Sequence, residues 1–166
     1  MTSPDEFNEI ADLFPTDVAV MLPLNNAHAA ETSLLDHEDL SALLRIASHA
    51  RGVGNGGLAF LIALDQDAVY DNPNFYWFKA HRESFVYIDR VIVSAQARGR
   101  GLASRLYREL FAAAGRAGHD RVVCEVNIAP PNPASLAFHA ALGFTAVGEG
   151  SIYDGSKSVR YLEKLL

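Results

Sequence analysis

Apolar residues along this chain fall into short unbroken runs and into stripes spaced roughly three to four residues apart, separated by polar or glycine-rich breaks. The run Val18 to Leu24 predicts a first strand, interrupted at Pro23, with Asn25-Asn26-Ala27-His28 as a polar connection. Asp36 and Asp39 have the spacing of a cap and a first-turn acid, ahead of a helix carrying Leu40, Leu43, Leu44 and Ala47 inward. Gly52, Gly54, Gly56 and Gly57 break the chain before Leu58 to Leu64, which predicts a central strand. Asn72-Pro73-Asn74 reads as a turn or short loop. Ser84 to Val93 predicts a long strand whose faces alternate only approximately, with a bulge near Asp89.

The second half is more regular. Leu102, Ala103, Leu106, Leu110 and Ala114 form one helical stripe, which should stop around Gly115 to Gly118. Arg121 to Val126 predicts a strand, and a second helix should run from about Pro133 to Leu142. Thr145 to Glu149 and Ser158 to Leu162 read as antiparallel strands joined around Asp154-Gly155. A right-handed crossover through the Leu102 helix makes the strands holding Ile92 and Val123 parallel neighbours. The expected fold class is therefore α/β, a central mixed sheet flanked by helices, in one domain over residues 1–166.

Composition narrows the class. With 166 residues and 49% hydrophobic content, the chain can bury about two-thirds of its unfolded surface without staples. One cysteine excludes an internal disulfide and any multi-cysteine metal centre, and points to a reducing cytoplasm. Residues 1–16 carry Asp5, Glu6, Glu9 and Asp12 without a basic residue, unlike a secretory leader. No apolar run approaches the roughly 20 residues that span a bilayer, so no membrane association is expected. A net charge of −6 argues against nucleic-acid binding. The six histidines contain no His-Glu-x-x-His pair, and no metal site is expected.

One segment changes this picture. In Val91-Ile92-Val93-Ser94-Ala95-Gln96-Ala97-Arg98-Gly99-Arg100-Gly101-Leu102-Ala103, a β-branched run ends in a short polar turn that opens a helix. Such a turn can aim backbone N–H groups and a helix N-terminus at an anion. Gly99 and Gly101 allow close approach, and Arg98 and Arg100 add positive charge, although glycines at a tight strand-to-helix corner can also be purely steric. A Walker loop is excluded because no Lys follows Gly101, and a dinucleotide fingerprint because Ser104 stands where its third glycine falls. Gln96-Ala97-Arg98-Gly99-Arg100-Gly101 instead resembles the Gln/Arg-x-x-Gly-x-Gly/Ala signature of GNAT-type acyl-CoA N-acyltransferases. A second segment agrees: Asn132, Leu142, Gly143 and Phe144 match the family's Asn-x-x-Ala-x-x-Leu-Tyr-x-x-Leu-Gly-Phe, with Ser135 as the small residue and Phe138 as the large apolar one. His139 stands where the family has Tyr. The likeness covers roughly residues 58–162. Tyr87-Ile88-Asp89-Arg90 and Val159-Arg160-Tyr161 resemble, more weakly, a small bacterial group of acetyltransferases of unassigned acceptor.

The resemblance implies transfer from acetyl-CoA to an amine by direct attack in a ternary complex. It implies that Val91, Ile92 and Val93 pair with the pantetheine arm and that Arg98, Gly99, Arg100, Gly101, Leu102 and Ala103 hold the diphosphate. It permits a cofactor-side role for Asn132, which also has the form of a helix cap. The matching Tyr commonly protonates the CoA sulfur, and His139 keeps donor capacity near neutrality; a core histidine is the structural alternative. Asp89 and Glu125 are the carboxylates suited to act as base or to attract an ammonium, with simple exposure at the sheet margin as the structural alternative. Glu31, Tyr76 and Tyr87 are candidates for the acceptor pocket, although core packing explains at least two of the aromatic block Phe75-Tyr76-Trp77-Phe78, which cannot all share one strand face. Cys124 reads as a buried structural thiol. The short loops favour a small-molecule amine over a protein acceptor, and edge strands make a homodimer an expectation. A noncatalytic acyl-CoA sensor and a homodimeric interaction module are the alternative readings.

Overall fold

The computed structural model describes residues 4–166, so residues 1–3 of the expected domain lie outside the described residues. The described chain forms two compact units. One holds the described residues up to Leu64 together with Ile88–Ala112; the other holds Asp65–Tyr87 together with Ala113–Leu166.

The first unit contains β1 (Ala11–Asp12), α1 (Val18–Ala27), α2 (His37–Ile46), β2 (His49–Val53) and β3 (Ala59–Asp65), the last ending at the unit boundary. β1 pairs antiparallel with β2, and β2 with β3. Val18 to Leu24 is not the expected strand; it lies in α1, with Pro23 inside the helix. Val18, Met21, Leu24 and Asn25 are the buried positions of α1, the spacing of one helical face. Burying that face outweighs the β-branched composition and the lost Pro23 N–H. α2 matches expectation, with the Asp36 carboxylate accepting from Asp39 N in a capping box and Leu40, Leu43 and Leu44 buried. Ala47 falls just outside as the C-cap.

The glycine break is a hairpin turn, and β2 before it is a strand that the pattern does not predict, because its His49-Ala50-Arg51-Gly52-Val53 has no clean alternation. Gly56 sits at φ +83°, where a side chain would also strike Met21 at 2.5 Å. Phe60, Leu61, Ile62, Ala63 and Leu64 are fully buried on both faces of β3, as its continuous apolar run requires.

The second unit contains α3 (Pro73–His81), β5 (Arg121–Ala129), α5 (Pro133–Ala141), β6 (Thr145–Ile152) and β7 (Lys157–Leu165). β4 (Val86–Val93) and α4 (Leu102–Arg116) run from one unit's residues into the other's. The expected loop at Asn72-Pro73-Asn74 is instead the start of α3: the Asn72 side chain accepts from Asn74 N and Phe75 N, and Pro73 occupies the first turn. Phe75 to Phe78 are therefore helical, and Phe75 and Phe78 are buried while Tyr76 is not. Tyr87 joins Phe75 and Phe78 in an aromatic core, at ring separations of 5.7 and 6.0 Å.

Among the described residues the seven strands follow the order β1-β2-β3-β4-β5-β7-β6 in a mixed sheet. β4 and β5 pair in parallel, Val86 with Val122 and Tyr87 with Val123, as the crossover predicts. β5–β7 and β6–β7 are antiparallel, and β6 and β7 extend beyond the expected Thr145–Glu149 and Ser158–Leu162. Among the described residues no helix is long and apolar enough to cross a membrane.

Candidate active site

In the first unit, β4 ends where Ser94 N donates to Leu58 O at 2.8 Å, and a single 3-10 turn spans Ala95–Ala97. Gly99 and Gly101 then adopt φ +76° and +70°, and a β-carbon on either would have no atom within 4 Å. Both glycines border open space, with α4 beginning at Leu102. This arrangement suits an anion that approaches the backbone closely at a helix N-terminus. Leu102 and Ile92 are buried, whereas Val91, Val93 and Ala103 are half-buried.

The two arginines are held by neighbours. An Arg98 terminal nitrogen lies 3.2 Å from His28 Nε2, and the His28 Nδ1 lies 3.1 Å from Leu24 O. The Arg100 guanidinium covers the Phe7 ring at 3.8 Å. Arg105, one turn into α4, donates to the Phe7 and Asn8 carbonyls.

Asp89 lies deep in the same unit, its carboxylate receiving Arg90 Nε at 2.7 Å. Arg90 continues to Asn25 Oδ1 at 2.7 Å and Ser33 Oγ at 3.2 Å, so one buried guanidinium ties β4 to α1 and to the segment after it. Glu31, in that segment, is exposed.

In the second unit, Glu125 gathers two donors on one oxygen. Tyr87 Oη donates to Glu125 Oε1 at 3.0 Å, and Asn74 Nδ2 donates to the same oxygen at 3.1 Å. Tyr161 Oη donates to Asn74 Oδ1 at 3.0 Å. Tyr161 is stacked on Trp77, with centroids 4.1 Å apart and planes 13° from parallel. Tyr76 is 53% exposed, with its hydroxyl on Asp71, and stands apart from this cluster.

His139 is buried on α5 with Nδ1 2.7 Å from the Ser135 carbonyl. A carbonyl only accepts, so Nδ1 carries the hydrogen and Nε2 of the neutral ring presents its lone pair. Burial pulls the imidazole below its ordinary value, partly opposed by the Ser135 hydrogen bond. Phe138 and Phe144 pack edge-on against the ring. Asn132 is the cap of α5, its side chain accepting from Ser135 N at 3.3 Å. The Cys124 thiol is buried and pushed well above its ordinary value by burial and then by the Glu125 charge.

A family model described as the acetyltransferase (GNAT) family matches residues 57–144, from the hairpin turn before β3 to Phe144 after α5. The chain belongs to the GNAT acetyltransferase family. Its members are acyl-CoA-dependent N-acyltransferases, and this protein is an enzyme of that class. The fold of this GNAT protein is shared with Ard1 from Thermoplasma volcanium, at TM-score 0.74 and 14% identity over 95% of this chain and 97% of that one. The ribosomal-protein-S18-alanine N-acetyltransferase from Escherichia coli superposes at 0.68 with 16% identity, covering 95% and 92%. A NatC complex bound to Gag peptide and CoA gives 0.70 with 16% identity, covering 95% and 98%. Among curated proteins no sequence relative matches.

The structure joins Tyr87 to Glu125 and couples Asp89 to Arg90. Sequence reasoning missed Asn74, Tyr161, Asn25 and Arg90 as members of these networks. Buried amides and hydroxyls carry no local pattern. The one usable signal was the Asn72-Pro73 pair, which has the same cap form as Asn132-Pro133 and would have put Asn74 in a first helical turn.

Proposed function

We propose that this GNAT enzyme transfers the acetyl group of acetyl-CoA to the primary amine of a small cationic molecule, by direct transfer in a ternary complex. Acetyl-CoA supplies an acyl group already activated as a thioester. The open backbone at Gly99 and Gly101 supports diphosphate binding there through N–H donors, with Val91 to Val93 offering strand backbone to the pantetheine arm. Arg98 and Arg100 contribute field more than contact, since each already has a neighbour.

The observation that carries the reading is the Glu125 carboxylate, held by Tyr87 and Asn74 on one oxygen. An amine arrives as an ammonium ion and attacks only after losing a proton. Glu125 attracts the cation and takes that proton. Asp89 is a weaker candidate because its carboxylate already engages Arg90. His139 acts through Nε2, accepting the second nitrogen proton and returning it to the CoA sulfur as the thiolate leaves. This differs from a simple general acid, because the Nδ1–H to Ser135 bond leaves the neutral ring with an acceptor at Nε2. The single cysteine suits the cytoplasmic setting we propose.

Release of free CoA should be measured against a panel of primary amines, with acetyl-CoA affinity followed by calorimetry. We expect Glu125→Gln and His139→Phe each to lower kcat by about 100-fold while leaving acetyl-CoA affinity within about twofold. Parental turnover in His139→Phe removes the histidine from proton transfer. Tight acetyl-CoA binding with no transfer to any amine would instead make the protein a sensor.

A further inference from the structure

Asn74 is 95% buried in the first turn of α3, yet its side chain takes no part in capping that helix, which Asn72 performs. Its two ends are committed in opposite senses. Oδ1 accepts from Tyr161 Oη at 3.0 Å, and Nδ2 donates to Glu125 Oε1 at 3.1 Å. An ionised carboxylate only accepts, so the N–H₂ end of the amide must face Glu125, which leaves the carbonyl end to accept from Tyr161. Reversing the amide would set a carbonyl oxygen against a carboxylate oxygen, a repulsive contact.

The aromatic packing fixes the place of the Tyr161 hydroxyl. Tyr161 is clamped face-on by Trp77, which is itself stacked on His81 at 3.9 Å. Two glycines of β6 make room for the stack. A side chain at Gly148 would meet Trp77 at 2.5 Å, and one at Gly150 would meet the Tyr161 hydroxyl at 2.9 Å. The hydroxyl therefore stays where Asn74 needs it.

From this arrangement we infer that Asn74, oriented by Tyr161, is a positioning residue that aims the Glu125 carboxylate and holds it in its anionic, proton-accepting form. The inference rests on the reading of Glu125 as the base. Hydrogen bonds donated to the charged form of a carboxylate favour that form, and a buried donor supplies them without competition from water. The titratable groups against Glu125 are Tyr87 from β4, Tyr161 as its register partner on β7, and its chain neighbour Cys124; α3 contributes the neutral Asn74. Burial and then the Glu125 charge push the Tyr161 phenol above its ordinary value, which keeps it a donor. α3 thereby links the Glu125 carboxylate to the aromatic core, and exchanging its Asn for Asp changes one donor into a second negative charge at the same distance.

The test is a carbon NMR titration of the side-chain carboxyls in the full-length protein labelled at glutamate, with the Glu125 signal identified by its loss in Glu125→Gln. Asn74→Asp should raise the Glu125 midpoint by about one pH unit or more, through like-charge repulsion and loss of the donor. Tyr161→Phe keeps the ring stack and should raise the midpoint by about a few tenths of a unit, because the amide loses its anchor. The acidic limb of kcat/KM should move to higher pH by the same amounts, with acetyl-CoA affinity unchanged. If Asn74→Asp does not fold, as circular dichroism would reveal, Tyr161→Phe decides alone. A midpoint and limb that stay at parental values in the folded variants overturn the positioning role, even where Glu125→Gln is inactive. Parental turnover in Glu125→Gln overturns the base reading, and the catalytic meaning of Asn74 with it.

Discussion

At the scale of single residues, His139 ties the proposed proton transfer to stability. Its imidazole is buried between Phe138 and Phe144, and burial lowers its proton affinity relative to the unfolded chain. The unfolded state therefore binds a proton more readily than the native state as pH falls through 6.5. The stability contributed by the neutral ring is complete above the unfolded value and is lost as pH drops through the folded one. Urea denaturation from pH 8 to pH 5 should show a decline in unfolding free energy that His139→Phe flattens. An unchanged slope in that variant would show that other groups control the acid limb. The identity of this residue was legible from its place in the second motif. Its tautomer was not, because that depends on the Ser135 carbonyl one helical turn away.

The strand–turn–helix unit around Gly99 behaves as one element. Neither glycine is needed to avoid a clash, since a β-carbon on Gly99 or Gly101 meets nothing within 4 Å. Their need is conformational, since both sit at positive φ, and both border open space, where the proposed function puts the diphosphate. A β-branched residue at such a φ costs about 1–2 kcal/mol and projects methyl groups into that space. Gly101→Val should weaken acetyl-CoA binding by about tenfold or more, whereas Arg100→Ala, which loses mainly a stack on Phe7, should stay within about threefold. Calorimetric titration of the two folded variants separates these outcomes, and equal affinities would remove this turn from cofactor binding. Sequence reasoning misread α1 as a strand because Val18-Ala19-Val20 has strand-like composition, and the start of α3 as a loop because Asn72-Pro73-Asn74 also has turn chemistry; each segment buries a helical face.

At the scale of the whole molecule, the net charge of −6 bears on the acceptor. A negative protein draws cations toward an acidic site over distances comparable to the Debye length. With acetyl-CoA saturating, kcat/KM for a cationic amine should fall about threefold or more as salt rises from about 0.02 to about 0.2 M, while kcat stays constant. A neutral amine of similar size should show no such fall. The same salt response for both would contradict recruitment of a cationic acceptor by the protein's field.

What the sequence determined by itself was local. The Gly99–Gly101 turn, the α2 and α5 caps, the α4 stripe and the buried run of β3 each depend on residues within about a dozen positions, where backbone geometry and periodicity act directly. The parallel pairing of β4 with β5 followed from chirality once the intervening helix was recognised. Tertiary structure decided the rest. It made Val18–Ala27 and Pro73–His81 helical because their buried positions recur at helical spacing, an energetic choice that depends on the neighbours covering them. It also assembled the Glu125 network, whose hydrogen bonds join residues 38, 51 and 87 positions apart. A buried hydroxyl, amide and carboxylate become one hydrogen-bonded network only when packing removes water and leaves them one another as partners.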